Sequence, residues 1–282
     1  MRKVKCYSCN SDNYSEWGVE NGFTMVKCKV CGLLYVNPIP EKDDIDIANQ
    51  TGMHKGDEEL DVTGSFADYK IKEYLEKLPE IYYGVNFENS FKWLDIGCGY
   101  GEFIMTLQNF VKVPGHYKGI EPNSAKMSAA KKFGLDVDFI DTAVLPSEEF
   151  NYVSLLNVYS HLPDPPEALL EFNRLLKKGG EILIQTGDAE KINRQDFQNT
   201  LYLPDHLSFA TEKIVRKLLI NAGFKIISVN RFHNPGYKKM KLSLKAKKQA
   251  IEFARKLKRK DYKVRNYFIN TDRDMWIRAR KA

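Results

Sequence analysis

Four cysteines stand as two pairs near the start of the chain, Cys6-x-x-Cys9 and Cys28-x-x-Cys31, with eighteen residues between the pairs. That is the ligand spacing of a four-thiolate zinc site. Four thiolates close a tetrahedral shell and leave no open position, so the metal is expected to be a structural staple rather than a catalyst. A second stretch with chemical potential is Asp95-Ile96-Gly97-Cys98-Gly99-Tyr100-Gly101-Glu102. Alternating glycines there allow positive φ and let the backbone approach a ligand closely. Cys98 within the turn reads as a small residue filling tight space. Downstream, Glu121, Asp141 and Asn157 each follow a short apolar run, where a strand would deliver a polar side chain to the edge of a sheet. His161 and His206 stand in polar loops beyond further apolar runs. An imidazole titrating near neutrality is the natural general base.

The elements that must position these residues follow from the hydrophobic pattern. Phe91 to Ile96 reads as a buried strand and Gly101 to Phe110 as the helix after the glycine turn, whose unpaired N–H groups favour a polar ligand. Strands at Tyr117 to Ile120, Val137 to Ile140, Tyr152 to Leu156, Glu181 to Thr186, Phe224 to Arg231 and Met275 to Arg280 alternate with helices. The helices run from an Asn123 cap to about Phe133, from Pro166 to Leu176, and from Thr211 to Ala222. Such alternation implies an α/β fold with a doubly wound, mostly parallel seven-stranded sheet and a short antiparallel last strand. Ligands of such sheets lie across the carboxyl ends of the strands, where Asp95, Glu121, Asp141 and Asn157 fall.

The glycine turn narrows the ligand. A dinucleotide fingerprint carries a third glycine where Glu102 stands, and an acid beside a pyrophosphate is repulsive. No Gly-Lys-Ser/Thr is present for a triphosphate. The stretch resembles motif I of the class I S-adenosylmethionine (SAM) methyltransferases, Asp/Glu-x-Gly-x-Gly-x-Gly, filled by Asp95, Gly97, Gly99 and Gly101. Asn157 to Pro165, the Leu170 to Gly180 helix and Gly-Gly turn, and Leu203 to Phe209 ahead of Ala222-Gly223-Phe224 are similar to later motifs of that family. Asn151 stands where the family usually has an aspartate after the phenylalanine. The resemblance implies a Rossmann-like SAM site formed by Asp95, Gly97, Cys98, Gly99, Gly101 and Asn157. Glu121 would accept from the ribose hydroxyls and Asp141 from the adenine amino group. The ribbon and its Asn-Pro-x-Pro exit look like a bacterial subgroup that modifies sugars and surface polysaccharides.

Before that domain, Tyr14 to Val19 and Phe23 to Lys27 form a hairpin about Asn21-Gly22, each CxxC on a knuckle, giving a zinc ribbon over 1–41. So small a unit buries little core, and the metal would supply most of its folding free energy. Residues 42–90 read as a linker or lid followed by a helix from Ser65 to Tyr82, and 91–282 as the SAM-binding domain. The resemblance implies that this helix closes over the cofactor, and ordinary core packing of its Tyr and Phe residues is the equal alternative.

The formal charge of +6 is concentrated. Residues 238–265 hold thirteen Lys/Arg against Glu252 and Asp261, leaving the rest of the chain net acidic. Within that segment Met240 or Leu242, Ala246, Ala250, Phe253 and Leu257 make an apolar stripe at helical spacing. A basic helical insertion at about 238–262 suits an anionic small-molecule acceptor such as a nucleotide sugar, with RNA as the weaker reading. No run of about 18 apolar residues is present to span a membrane. The first residues lack the apolar core of a secretory signal, so the expected setting is cytoplasmic. The sequence therefore points to methyl transfer onto a small acceptor. The alternatives are a methyltransferase for RNA or protein and a catalytically inactive SAM-binding protein.

Overall fold

The computed structural model describes residues 1–190, 201–232, 242–258 and 274–282. The chain begins with three antiparallel strands, β1 (Tyr14–Glu20), β2 (Phe23–Cys28) and β3 (Leu34–Val36). The turn between β1 and β2 is Asn21-Gly22, both at positive φ, which only such residues adopt cheaply. Helix α1 (Lys42–Thr51), a short hairpin of β4 (Met53–His54) with β5 (Leu60–Asp61), and helix α2 (Asp68–Ile81) follow.

Strands and helices then alternate: β6 (Phe91–Ile96), α3 (Glu102–Phe110), β7 (Gly115–Ile120), α4 (Ser124–Lys132), β8 (Val137–Asp138), β9 (Phe150–Leu156), α5 (Pro165–Leu175) and β10 (Leu176–Gly187). The chain continues through β11 (Ser208–Phe209), α6 (Glu212–Asn221), β12 (Phe224–Arg231), α7 (Leu242–Lys258) and β13 (Asp274–Lys281). Caps fix the helix starts. Asn123 accepts from the N–H groups of Ala125 and Lys126, Asp164 from that of Glu167, and Thr211 from that of Ile214.

Seven strands make the central sheet in the order β12-β13-β10-β9-β6-β7-β8. Its parallel pairs run from β10 through β8, and β13 is antiparallel to both of its neighbours. Both faces are covered. Leu94, Ile96, Val153, Leu155 and Ile182 pack towards α5 and α6. Trp93, Leu183 and Trp276 pack with Tyr74, Leu78, Phe103 and Leu107 of α2 and α3. The order reverses beside β6, so the crevice at its carboxyl end is where this topology binds ligands.

Three expectations change. The polar stretch from Glu41 to Gly64 is not a plain linker. It holds α1, whose Ile45 and Ala48 are buried, and the β4–β5 hairpin. The helix from Pro166 ends one residue early, and Leu176 to Gly180 enters β10 with a register shift before Glu181. On α7, Ala246, Ala250, Phe253 and Leu257 are exposed, so these positions of the apolar stripe are not packed into a core. Met240 and residues 259–273 of the basic segment lie outside the described residues.

The N-terminal ribbon is joined to the main domain by backbone pairing. β3 pairs with β11, making a four-stranded sheet β1-β2-β3-β11. Glu20 accepts from the N–H groups of Leu201 at 2.8 Å and Leu203 at 3.3 Å, and Lys217 Nζ donates to the Ser8 carbonyl at 2.8 Å. No described helix is long and apolar enough to cross a membrane.

Between β13 and β10 of the central sheet, the buried Arg278 guanidinium donates to Glu181 from Nε at 2.6 Å and Nη2 at 3.1 Å. Arg280 adds a contact to the same carboxylate. Glu181→Ala would strand a buried cation, and the expected loss of stability is about 3–5 kcal/mol, measured by urea unfolding. A loss under about 1 kcal/mol would show that Arg278 finds water or another partner.

Candidate functional site

The glycine turn sits at the carboxyl end of β6. Gly97, Gly99 and Gly101 have φ of 64°, 58° and 87°, a region where side chains are strained. A Cβ on Gly97 would collide with Val158 Cγ2, whereas one on Gly99 would meet only Glu102 Oε2, at 3.9 Å. The first glycine permits close packing and the second leaves open space beside the backbone. Cys98 is buried beneath the turn, where Gly119 makes room for it: a Cβ there would lie 2.6 Å from the Cys98 sulfur.

Three carboxylates surround the turn, and all are buried. Asp95 accepts from Ser154 Oγ at 2.5 Å, Glu102 from the Ala67 N–H at 3.1 Å, and Glu121 from the N–H groups of Gly99 at 2.7 Å and Asn123 at 2.9 Å. Burial, against the Ser154 hydrogen bond, pushes the Asp95 carboxyl up to about 7, and the charges of Glu121 and Glu102 add to the shift. Burial also raises Glu121, against its two backbone donors. Carboxylates crowded in this way favour a cationic ligand and disfavour a phosphate.

A cavity of about 430 Å³ opens beside the turn, lined by Gly97 and Glu121, by Val158 and His161 after β9, and by Phe139 and Thr142 on the β8 side. Among the described residues no lysine or arginine lines it. The lid segment closes one flank. Gly52 and Val62 line the cavity, and the Tyr100 hydroxyl donates to the Gly64 carbonyl at 2.9 Å. Of the expected cofactor residues Gly97 and Glu121 line the cavity, Asp95, Cys98, Gly99 and Gly101 lie in or beneath the turn beside it, and Asp141 and Asn157 stand at the surface. Asp141 is exposed and caps a short turn through the Ala143 N–H, and Asn157 is exposed at φ 59°. Neither lines the cavity.

The histidines gather about Asp205. His161 Nδ1 lies 2.9 Å from the Asp205 carbonyl and 3.1 Å from its Oδ1, and His54 Nε2 lies 3.2 Å from that same oxygen. Burial alone would raise Asp205, but its contacts with His161 and His54 hold it well below the usual carboxylate range. Burial lowers the affinity of His161 for a proton, yet Asp205 outweighs this and the net shift is upward. With Nδ1–H committed to Asp205, the Nε2 lone pair of His161 is the one left for chemistry. His206 lies behind it, 4.7 Å between ring centroids, with Nδ1 2.7 Å from the Leu201 carbonyl. Burial and the neighbouring His161 lower its pKa, and it does not line the cavity.

Sequence reasoning missed His54 and Asp205. His54 was hidden in a polar stretch with no repeating pattern, and its one local signal is Gly52, which ends α1 at φ 77°. Asp205 was visible only as the neighbour of His206.

At the far end of the ribbon the four thiols converge. Cys6 Sγ lies 3.4 Å from Cys31 Sγ, and Cys9 Sγ lies 3.5 Å from Cys28 Sγ. All four ligand atoms fall within 4.8 Å of one another and no disulfide forms.

The strand order, the glycine turn and the acid at the end of β7 define a Rossmann-like methyltransferase fold. Solved structures with this fold include the putative methyltransferase bound to the Trm112 activator of Haloferax volcanii, with a TM-score of 0.58 and 14% identity over 76% of this chain and 92% of that one. A SAM-dependent methyltransferase of Archaeoglobus fulgidus gives 0.54 and 18% over 76% and 95%. The methyltransferase-domain family model matches residues 64–229, and the chain belongs to that family. Among curated relatives, a ubiquinone biosynthesis O-methyltransferase of Citrobacter koseri is 28% identical over 101 residues, 34% of this chain and 42% of that protein. An uncharacterised 37.1 kDa transposon protein of Streptomyces fradiae is 27% identical over 152 residues, 48% of this chain and 44% of that protein. The chain thus spans less than half the length of these curated relatives.

Proposed function

We propose that the protein transfers the methyl group of SAM to a hydroxyl of a small-molecule acceptor, and that zinc on Cys6, Cys9, Cys28 and Cys31 holds its ribbon. One observation carries the reading: His161, ordered by Asp205, faces the same cavity as Gly97 and Glu121. The glycine turn and its buried carboxylates suit SAM, a sulfonium with an amino group and no phosphate. Bound there, SAM supplies a methyl group already activated by the positive sulfur. Glu121 keeps one lone pair on each oxygen for the ribose hydroxyls, and the charges of Asp95 and Glu102 complement the cation.

The protein's remaining work is alignment and proton removal. His161 Nε2 takes the acceptor's hydroxyl proton as the oxygen forms its bond to carbon, and the carbon–sulfur electron pair stays on sulfur, neutralising it. Asp205 holds the ring and stabilises the imidazolium. The O-methyltransferase relatives support oxygen as the acceptor atom. Among the described residues no Lys or Arg lines the cofactor-side cavity, and residues 238–241 and 259–265 of the basic segment lie outside the described residues.

Zinc fits the thiol cluster. Tetrahedral bonds of about 2.3 Å would set the sulfurs about 3.8 Å apart, close to the separations found. Its role is to hold the ribbon that braces the 201–209 loop. The purified protein should therefore contain one zinc per chain by elemental analysis. Chelation should cost at least tenfold in turnover while SAM affinity stays within a few-fold.

Glu121→Ala should weaken SAM binding by roughly 1.5–3 kcal/mol in calorimetry, because a buried charged acceptor is lost. An unchanged affinity would remove Glu121 from the site.

His161→Ala should keep SAM affinity and lose turnover by about 10²- to 10⁴-fold. In the parent, turnover should rise with pH through a value above 6.5, since Asp205 favours the imidazolium and only neutral His161 is a base. Asp205→Asn removes that stabilisation, so the rising limb should move to lower pH while the plateau falls. SAM binding with no turnover across acceptors would instead mark an inactive binding protein.

A further inference from the structure

A second cavity lies on the other side of the histidine cluster. It measures about 230 Å³ and is walled by the ribbon at Phe23, by α1 at Ile45 and Ile47, and by the β4 strand at Met53. It shares Ala48, Asn49, His54, His161 and Asp205 with the cofactor-side cavity, so the two chambers meet at the imidazoles. We propose that this ribbon-side chamber is the acceptor subsite, and that it takes a small, uncharged, apolar molecule bearing an acidic hydroxyl of the phenol class. The proposal rests on the reading of the protein as a SAM-dependent O-methyltransferase.

Three observations select that chemistry. The chamber is smaller than the 300–1,000 Å³ typical of ligand pockets, room for about one ring and not for a nucleotide. Its outer walls are mostly apolar, through Phe23, Ile45, Ile47, Met53 and Leu207, and among the described residues the one Lys or Arg in the lining, Lys55, shares it with Asp44. The shared wall presents a histidine base whose other nitrogen is bound to Asp205. An imidazole can take a proton from a phenol, whose pKa near 10 matches that of tyrosine. An aliphatic hydroxyl, closer to the 15.7 of water, is the weaker acid and gives up its proton to an imidazole less readily.

His54 belongs to the same wall. It is buried, comes from the β4–β5 hairpin, and its Nε2 lies 3.2 Å from the same Asp205 Oδ1 that His161 approaches. It is a positioning residue, holding the carboxylate that holds the base.

The test uses the full-length zinc-bound protein with methionine methyl groups labelled with ¹³C, titrated with p-cresol and separately with cyclohexanol and glucose 1-phosphate. The expected result is a saturable shift of the Met53 methyl signal with p-cresol, while Met105 and Met127, packed about the far side of the glycine turn, stay still. Cyclohexanol should bind at least several-fold more weakly, and glucose 1-phosphate should leave Met53 unmoved. Ile47→Trp, at a position 56% exposed and so tolerant of change, should weaken p-cresol binding at least tenfold, read from the Met53 signal. Met53→Trp, read by calorimetry, should do the same, and both variants should keep SAM affinity within about twofold. A p-cresol shift confined to methionines other than Met53 and Met1, which also lines the chamber, no effect of either tryptophan, or tighter binding of glucose 1-phosphate at Met53 would overturn the subsite. Failure of methyl transfer with these shifts intact would overturn the enzymatic reading alone, because binding is read without turnover.

Discussion

A largely buried carboxylate must be given partners, and Asp205, its side chain 13% exposed, obtains its own from two segments far away in the chain. His54 arrives from the lid and His161 from the loop after β9. An isolated charge in that position would cost several kcal/mol, so the three segments are held together or the site does not form. The loop that carries Asp205 is in turn held by the ribbon. β3 pairs with β11, and Glu20 takes the N–H groups of Leu201 and Leu203. Thiol cluster, ribbon, loop, carboxylate and base form one mechanical series. On the proposed reading the ribbon is therefore part of the acceptor side of the site.

The cofactor side depends on a different constraint. Asp95, Glu102 and Glu121 are crowded beneath one turn, and the two with shifted titration are both raised. That crowding is unfavourable in the empty protein and is relieved by a bound cation, so part of the binding free energy is stored as repulsion between acids. The sign of the charge, more than the glycines, separates this turn from those that hold pyrophosphates. Cys98 and Gly119 serve the same end, since the sulfur fills the space a Cβ would take and lets β6 and β7 approach under the loop.

These two halves were unequally legible. The glycine turn, its strand and Glu121 lie within one βαβ unit, where periodicity and turn chemistry act locally, and the strands from Phe91 to Arg231 fall close to where the pattern puts them. The cysteine pairs were legible because metal spacing is a short-range code. The lid was not. α1 has only ten residues with two of them buried, and β4 and β5 have two residues each, too short for any period to show. Asp141 looked like a strand-end ligand, but β8 ends at Asp138 and the chain turns outward, so the carboxylate caps a turn. The β3–β11 pairing joins residues more than 170 positions apart, and no local signal encodes it.

The same division explains why the cofactor of such a chain can be read from sequence while its acceptor is obscure. The glycine turn and Glu121, which would meet SAM on the proposed reading, lie within one contiguous stretch of chain from Gly97 to Glu121. What would meet the acceptor is assembled from residues 23, 45–54, 161 and 205, brought together by pairing across the ribbon and by one shared carboxylate. Each of those residues has an ordinary local role: a strand phenylalanine, a helix isoleucine, a histidine in a polar loop. Their chemistry exists only in combination. Specificity can therefore change through the ribbon and the lid while the glycine turn and its acids stay as they are, because the two chambers touch only at the histidine wall.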